Sequence, residues 1–214
     1  MKKINTVLAI DTATDYLGVA IWNVKTDEKH VFSKNLTRKQ SGMLHPVIQD
    51  ILVQNRVNPS DIDLVVCTKG PGSFTGVRIG LAAAQGIASG VNASLVGVST
   101  LEAMAKQGEP STVWIGAIRG EVYTQQFDKN SKPVNDAEVL PVEKAAEQLK
   151  NGQLLCVHGD ISLPDNMPDV VTHNAVIDPM LLAKIGLNDY EKNGETTFTP
   201  IYLSKLKYRK KNEV

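Results

Sequence analysis

The same order of elements, three strands, a helix and a strand, occurs twice along 214 residues, and it constrains the fold more than any other feature of the chain. In the first half, short apolar runs predict strands over 7–10, 17–23 and, more weakly, 29–34. Met43, Leu44, Val47, Ile48, Ile51 and Leu52 recur at helical spacing and predict a helix over 40–54, with Pro46 kinking it or lying in its first turn. A strand over 63–68 runs into the glycine-rich segment 70–80, then a helix over about 74–88 and a strand over 95–98. Ser99-Thr100-Leu101-Glu102 has the pattern of a capping box opening a further helix, which Gly108 can close.

The second half starts over. Strands are expected over 112–117, 121–128 and 136–140, followed by a helix with Pro141 as its first residue, running through Lys150 and ended by Gly152. A short apolar strand over 154–158 stops at Gly159, as 63–68 stops before Gly70. Asp178-Pro179 reads as the N-cap and first residue of a helix over 180–190. The two series lie about 90 to 107 residues apart. A repeated βββαβα unit is the architecture of the actin/hexokinase/heat-shock ATPase-like (ASKHA) fold, two α/β lobes with a cleft between them. A single α/β sheet with a chance likeness of order is the alternative. The expected lobes are 1–107 and 108–214.

Charge separates the halves. The chain has 23 Lys and Arg against 23 Asp and Glu, which argues against gripping nucleic acid by the overall field. Residues 1–107 carry 11 basic and 8 acidic groups; residues 108–204 carry 7 and 14; the remaining cations are Lys205, Lys207, Arg209, Lys210 and Lys211. A terminal run of this kind is a solvated tail or an RNA-contacting arm. Cys67 and Cys156 sit in separate apolar runs without a CxxC pair, as in a reduced cytosolic protein. Asp11 interrupts the first apolar stretch, so no signal peptide is expected, and nothing approaches a membrane span.

The segment with most chemical content runs from Lys69 through Gly70-Pro71-Gly72-Ser73-Phe74-Thr75-Gly76-Val77-Arg78-Ile79-Gly80. Glycines between a strand and a helix let backbone N–H groups approach an anion, which makes Gly70, Gly72 and Ser73 candidates near a phosphate. The segment lacks the Gly-Lys-Ser/Thr of a Walker A loop and the third glycine of GxGxxG, and a tight turn with close helix packing explains it equally well. Asp11, Thr12 and Thr14 end the first strand, where a carboxylate and hydroxyls can face a nucleotide or simply form an Asx-type turn. The matching turn of the second series, Gly116-Ala117-Ile118-Arg119-Gly120, has no carboxylate. Small residues Gly76, Gly80, Ala83 and Ala84 leave one helix nearly bare, for a crossing inside the lobe or for a partner. The four histidines form no HxxxH or HExxH pair and are read as structural; no GxSxG elbow is present.

With Asp11-Thr12-Ala13-Thr14, the Gly-Pro-Gly-Ser-Phe-Thr-Gly-x-Arg run, Gly120-Glu121-Val122-Tyr123 and Pro200-Ile201-Tyr202-Leu203, the chain resembles the bacterial TsaB (YeaZ) family over nearly its full length. The resemblance implies a non-catalytic accessory subunit of tRNA threonylcarbamoyladenosine (t6A) synthesis. It would stabilise the TsaD transferase and be joined by the TsaE ATPase, with tRNA held mainly through the complex. It implies no cofactor of its own, with ATP or ADP at the interface with the partner, and a cytoplasmic, membrane-free location; a homodimer in isolation stays open. The helices over 40–54 and 74–88 would dock the partner, through Leu44, Val47, Ile48, Ile51, Gly76, Arg78, Gly80, Ala83 and Ala84. Where relatives often carry Asp-Ala-Arg, this chain has Gly116-Ala117-Ile118, which argues against activity in the second lobe. A stand-alone nucleotide-binding enzyme using Asp11, and a glycoprotease-like metallopeptidase, are the competing readings.

Overall fold

The computed structural model describes residues 2–37, 39–196 and 198–203; the five tail cations lie outside the described residues. β1 (Thr6–Asp11), β2 (Tyr16–Asn23), β3 (Glu28–Asn35), β4 (Leu64–Thr68) and β5 (Ser94–Val98) form one sheet in the order β3-β2-β1-β4-β5. β6 (Ser111–Gly116), β7 (Glu121–Phe127), β8 (Glu138–Pro141), β9 (Leu154–His158) and β10 (Val171–Asn174) form a second, in the order β10-β9-β6-β7-β8. Read from its third strand, each sheet has the order 3-2-1-4-5. In each, the first three strands are antiparallel and the last two join in parallel. Two sheets of identical order and direction establish the duplicated, two-lobed ASKHA-like architecture.

Between β3 and β4 lies α1 (Gln40–Gln54), and between β4 and β5 lies α2 (Phe74–Val91). Both cover the outer face of the first sheet. β1 and β4 are buried on both faces and show alternation only in which core each residue enters, whereas β3 is largely exposed. Leu8, Ile10, Val65 and Cys67 point to α1 and α2, while Val7, Ala9, Leu64 and Val66 point to the inter-sheet core. That inner core is shared. α3 (Thr100–Met104), which follows the first sheet, packs on β6 and β7, whereas α5 (Pro179–Asn193) packs on β1, β2, β4 and β5. The expected division at 107/108 falls between the sheets, and the last helix of each half lies against the other half's sheet.

Several expectations need correction. Ser99 makes no side-chain cap bond, so the expected capping box does not form, and α3 ends at Met104 instead of reaching Gly108. Glu102 is instead engaged by Lys132, its carboxylate 3.2 Å from the ammonium. α4 (Val142–Ala146) is a five-residue helix with Pro141 as its N-cap, not a helix through Lys150. Between β9 and β10 no helix forms: residues 159–170 cross as a loop where the first lobe has α2. β10 was not expected at all; its four residues are exposed, and it pairs along one side only. The Asp178 cap does form, its carboxylate accepting from the Met180 amide at 2.8 Å.

Candidate functional site

A cavity of about 660 Å³ opens between the lobes. Its first-lobe wall is the β1–β2 turn (Ala13, Thr14, Asp15), the start of α1 and the start of α2 (Gly72, Ser73, Thr75, Gly76); its second-lobe wall is Ile115, Gly116, His158 and Gly159. Of the residues expected near a nucleotide, Thr14, Gly72 and Ser73 therefore line the cleft. Asp11, Thr12 and Gly70 do not. A Cβ on Gly70 would lie 2.9 Å from the Ile201 carbonyl oxygen, because the segment after α5 runs over this loop and Ile201 N–H donates to Lys69 O at 2.7 Å.

Asp11 is sealed inside the first lobe, 1% exposed. Its Oδ1 accepts from the Ala13 amide at 3.0 Å and from the Thr68 hydroxyl at 2.7 Å, while Oδ2 has no partner. Burial pushes its carboxyl up, against the opposing pull of those two donors. At the start of α2 two of the N–H groups are engaged within the chain: Ser73 N–H donates to Ala13 O at 2.8 Å and Gly76 N–H to Ser73 Oγ at 3.2 Å. The second-lobe turn that faces the cleft ends in exposed Ile118 and Arg119. Asp11, the acid expected to face a nucleotide, is turned away from the cavity, and Asp15, which does line it, is bonded to His158 and Asn35. Among the described residues no three His, Cys, Asp or Glu side chains converge to hold a metal ion.

One bond spans the cleft. His158, at the end of β9, places Nε2 3.0 Å from Asp15 Oδ1 and Nδ1 2.7 Å from the Ala175 carbonyl oxygen. Asn35 Nδ2 donates to the other oxygen of Asp15, and the Tyr16 ring meets His158 edge-on at 6.4 Å. Neither Asp15 nor His158 was among the expected site residues. The signal available was position: His158-Gly159 closes β9 as Thr68-Lys69-Gly70 closes β4.

Gly72, Gly76 and Gly80, before and along the first half of α2, are used inside the lobe. A Cβ on Gly72 would lie 2.3 Å from Ala13 O, on Gly76 2.0 Å from Thr12 O, and on Gly80 2.5 Å from Thr12 Oγ1. The helix thus rests directly on the backbone of the β1–β2 turn, and Thr12 Oγ1 donates to Gly76 O at 2.7 Å. Burial divides the expected docking residues. Leu44, Val47, Ile48, Ile51, Gly76, Gly80, Ala83 and Ala84 are all buried in the chain's own core, and Arg78 alone of that set is exposed. The outward faces carry other residues: Met43, His45, Gln49 and Val53 on α1, and Ala82, Gln85, Gly86, Ser89 and Gly90 on α2. Gly86 and Gly90 have open space where a side chain would stand. Between the C-terminal halves of these helices lies a groove of about 760 Å³, lined in part by Ile48, Leu52, Val53, Val57, Ile87 and Val91.

The family model described as TsaD, tRNA N6-adenosine threonylcarbamoyltransferase, matches residues 31–172, about two thirds of the chain. A protein of Haemophilus influenzae named tRNA threonylcarbamoyladenosine biosynthesis protein TsaB is 31% identical over 163 residues, which is 68% of each chain. The chain belongs to the TsaB (YeaZ) family. The TsaB of Escherichia coli is 39% identical over 134 residues, 60% of this chain; that match spans only 57% of the Escherichia coli protein. YeaZ from Pseudomonas aeruginosa superposes with a TM-score of 0.79 over 94% of this chain and all of that one, at 22% identity, which speaks for the fold. The TsaB relatives are named for tRNA threonylcarbamoyladenosine biosynthesis. No described helix is long and apolar enough to cross a membrane.

Proposed function

We propose that the chain is a non-catalytic, cytoplasmic accessory subunit of t6A synthesis that binds and stabilises a TsaD-type transferase, with a TsaE-type ATPase joining the pair. The observation that carries this reading is the outward face of α1 and α2. Exposed Val53 lines an apolar groove there, beside a bare stretch of Ala82, Gly86 and Gly90. Bare helical surface lets another backbone come close, and helical glycines without an internal packing reason cost about 0.8–1.0 kcal/mol each relative to Ala. The inward-turned Asp11 supports a subunit without ATP turnover of its own, any ATP or ADP being held at the interface with the partner. The neutral chain supports a role in which the partner holds most of the tRNA.

Replacing Gly86 or Gly90 by Leu tests this without disturbing the core, since neither site meets another atom within 4 Å. The expected result is at least a tenfold loss of affinity for TsaD in calorimetric titration, with the urea midpoint of the free chain not lowered. Light scattering of the free chain shows whether a homodimer uses the same face. Unchanged TsaD affinity in both variants would remove the reading. ATP hydrolysis by the isolated chain that disappears in Asp11→Ala would favour the stand-alone enzyme instead.

A further inference from the structure

The most specific motif of the sequence contains two residues that neither the core nor the accessory role uses. Phe74 and Arg78 lie one turn apart at the start of α2, outside all three hydrophobic clusters. Tyr202, from the segment that runs over the glycine loop, joins them. The Arg78 guanidinium stands 3.8 Å from the centre of the Phe74 ring, and its Nε donates to the Tyr202 hydroxyl at 3.0 Å. The two rings are 5.4 Å apart and tilted by 40°. Both remain 49% exposed. Leaving half of two aromatic side chains in water forfeits burial that the fold uses elsewhere, yet their positions are fixed by a cation–π contact and a hydrogen bond.

We propose that Phe74, Arg78 and Tyr202 form a platform for unpaired bases of RNA. Every base has a π-face, so held aromatic rings with an adjacent guanidinium take successive bases without reading their sequence, and the guanidinium can also pair with a phosphate. Charge on the page agrees. Lys205 follows Tyr202 by three residues, at most about 10 Å of chain, and Lys207, Arg209, Lys210 and Lys211 follow it. In a chain of zero net charge, five cations thus follow Tyr202 within nine residues of sequence, a supply for phosphates. An acidic peptide would use the same cations but would gain little from the rings. This goes beyond the accessory role and is read on the free chain, so loss of TsaD binding and loss of RNA contact are separate results.

The test is fluorescence anisotropy of a short labelled single-stranded RNA with the full chain at low salt, against the same sequence as a duplex and against a polyglutamate peptide. Binding of the single strand is expected, weaker with the duplex and falling as salt rises. Phe74→Leu and Tyr202→Leu should each weaken it roughly 5- to 150-fold, while Tyr202→Phe retains most of it. Urea midpoints near that of the parent chain show that these exposed substitutions leave the fold in place. No binding of the single strand, or Leu variants that bind as the parent does, would overturn the proposal. So would polyglutamate binding with the same dependence on the two rings.

Discussion

Gly76→Ala and Gly86→Ala make the same chemical change in one helix and should have opposite effects. At Gly86 the added methyl meets nothing within 4 Å. The variant should therefore gain the helix-propensity difference alone, about 0.8–1.0 kcal/mol. At Gly76 the methyl would land 2.0 Å from the Thr12 carbonyl oxygen, where ordinary contact begins near 3.4 Å. Either the turn or the helix must withdraw by more than an ångström. That movement strains a region where Thr12 and Ala13 are 0% and 1% exposed, and it stretches the 2.7 Å bond from Thr12 Oγ1 to Gly76 O. Overpacking costs about 1–3 kcal/mol and a weakened buried hydrogen bond about 1 kcal/mol. Set against about 1 kcal/mol of recovered propensity, the net loss is roughly 1–3 kcal/mol. Urea unfolding followed by far-UV circular dichroism measures both, with m-values compared so that midpoints can be read as stability. For a chain of this length each kcal/mol also moves the melting temperature by about 2–4 °C. A Gly76→Ala variant as stable as the parent, alongside a stabilised Gly86→Ala, would refute the close approach of α2 to the β1–β2 turn.

Two further outcomes follow from the cleft. His158→Ala removes a buried ring held by the Ala175 carbonyl and should cost about 2–3 kcal/mol in urea unfolding. Asp15→Asn should cost under about 1 kcal/mol, because the Asp15 side chain is 40% exposed and water screens the pair; two silent variants would mean the bridge holds nothing. Asp11→Asn tests the buried carboxyl. Burial raises its folded pKa above the ordinary 3.8, so its contribution is full below that value and is lost as pH rises through the folded one. Urea midpoints measured from about pH 4 to 8 should thus shift progressively in favour of Asp11→Asn, and a pH-independent difference would contradict the assignment.

Most of the first sheet was legible because β1, β2, β4 and β5 are short, mostly apolar runs, and α1 was placed at Gln40–Gln54 by the spacing of its six apolar residues. β10 gave no such signal. Val171–Asn174 is an edge strand with exposed side chains, held by a parallel ladder to β9 on one side, so nothing in its composition marks it. The short α3 and α4 failed differently. A pattern of Ser99 and Glu102 or of Pro141 and Gly152 marks where a helix can begin or end, and tertiary packing decided how far each ran. The glycines of α2 left two occupants open, a crossing inside the lobe or a partner; Gly76 and Gly80 meet Thr12 of the β1–β2 turn, whereas Gly86 and Gly90 have open space. The His158–Asp15 bridge joins positions 143 residues apart, with no periodicity to betray it.

The two lobes share a strand order but not a helix complement, and this difference bears on function. In the first lobe α2 fills the β4–β5 crossover, gives one face to its own sheet and leaves the other to solvent. In the second lobe the equivalent crossover is the loop 159–170, so there is no second helix face and no helix N-terminus opposite the first across the cleft. An enzyme of this duplicated fold draws on both walls of its cleft. Here one wall has Asp11 turned inward and Asp15 bonded to His158, and the other ends in Ile118 and Arg119, while an apolar groove lies on the outside, between α1 and α2. The features without an internal explanation are Gly86, Gly90 and Val53 on the outer helices and Phe74 and Tyr202 at the mouth of the glycine loop. None of them lines the cleft, and on the readings proposed above each of them meets a partner or an RNA. The variants that test those readings therefore lie on the outer helices and beside the glycine loop, not in the cleft.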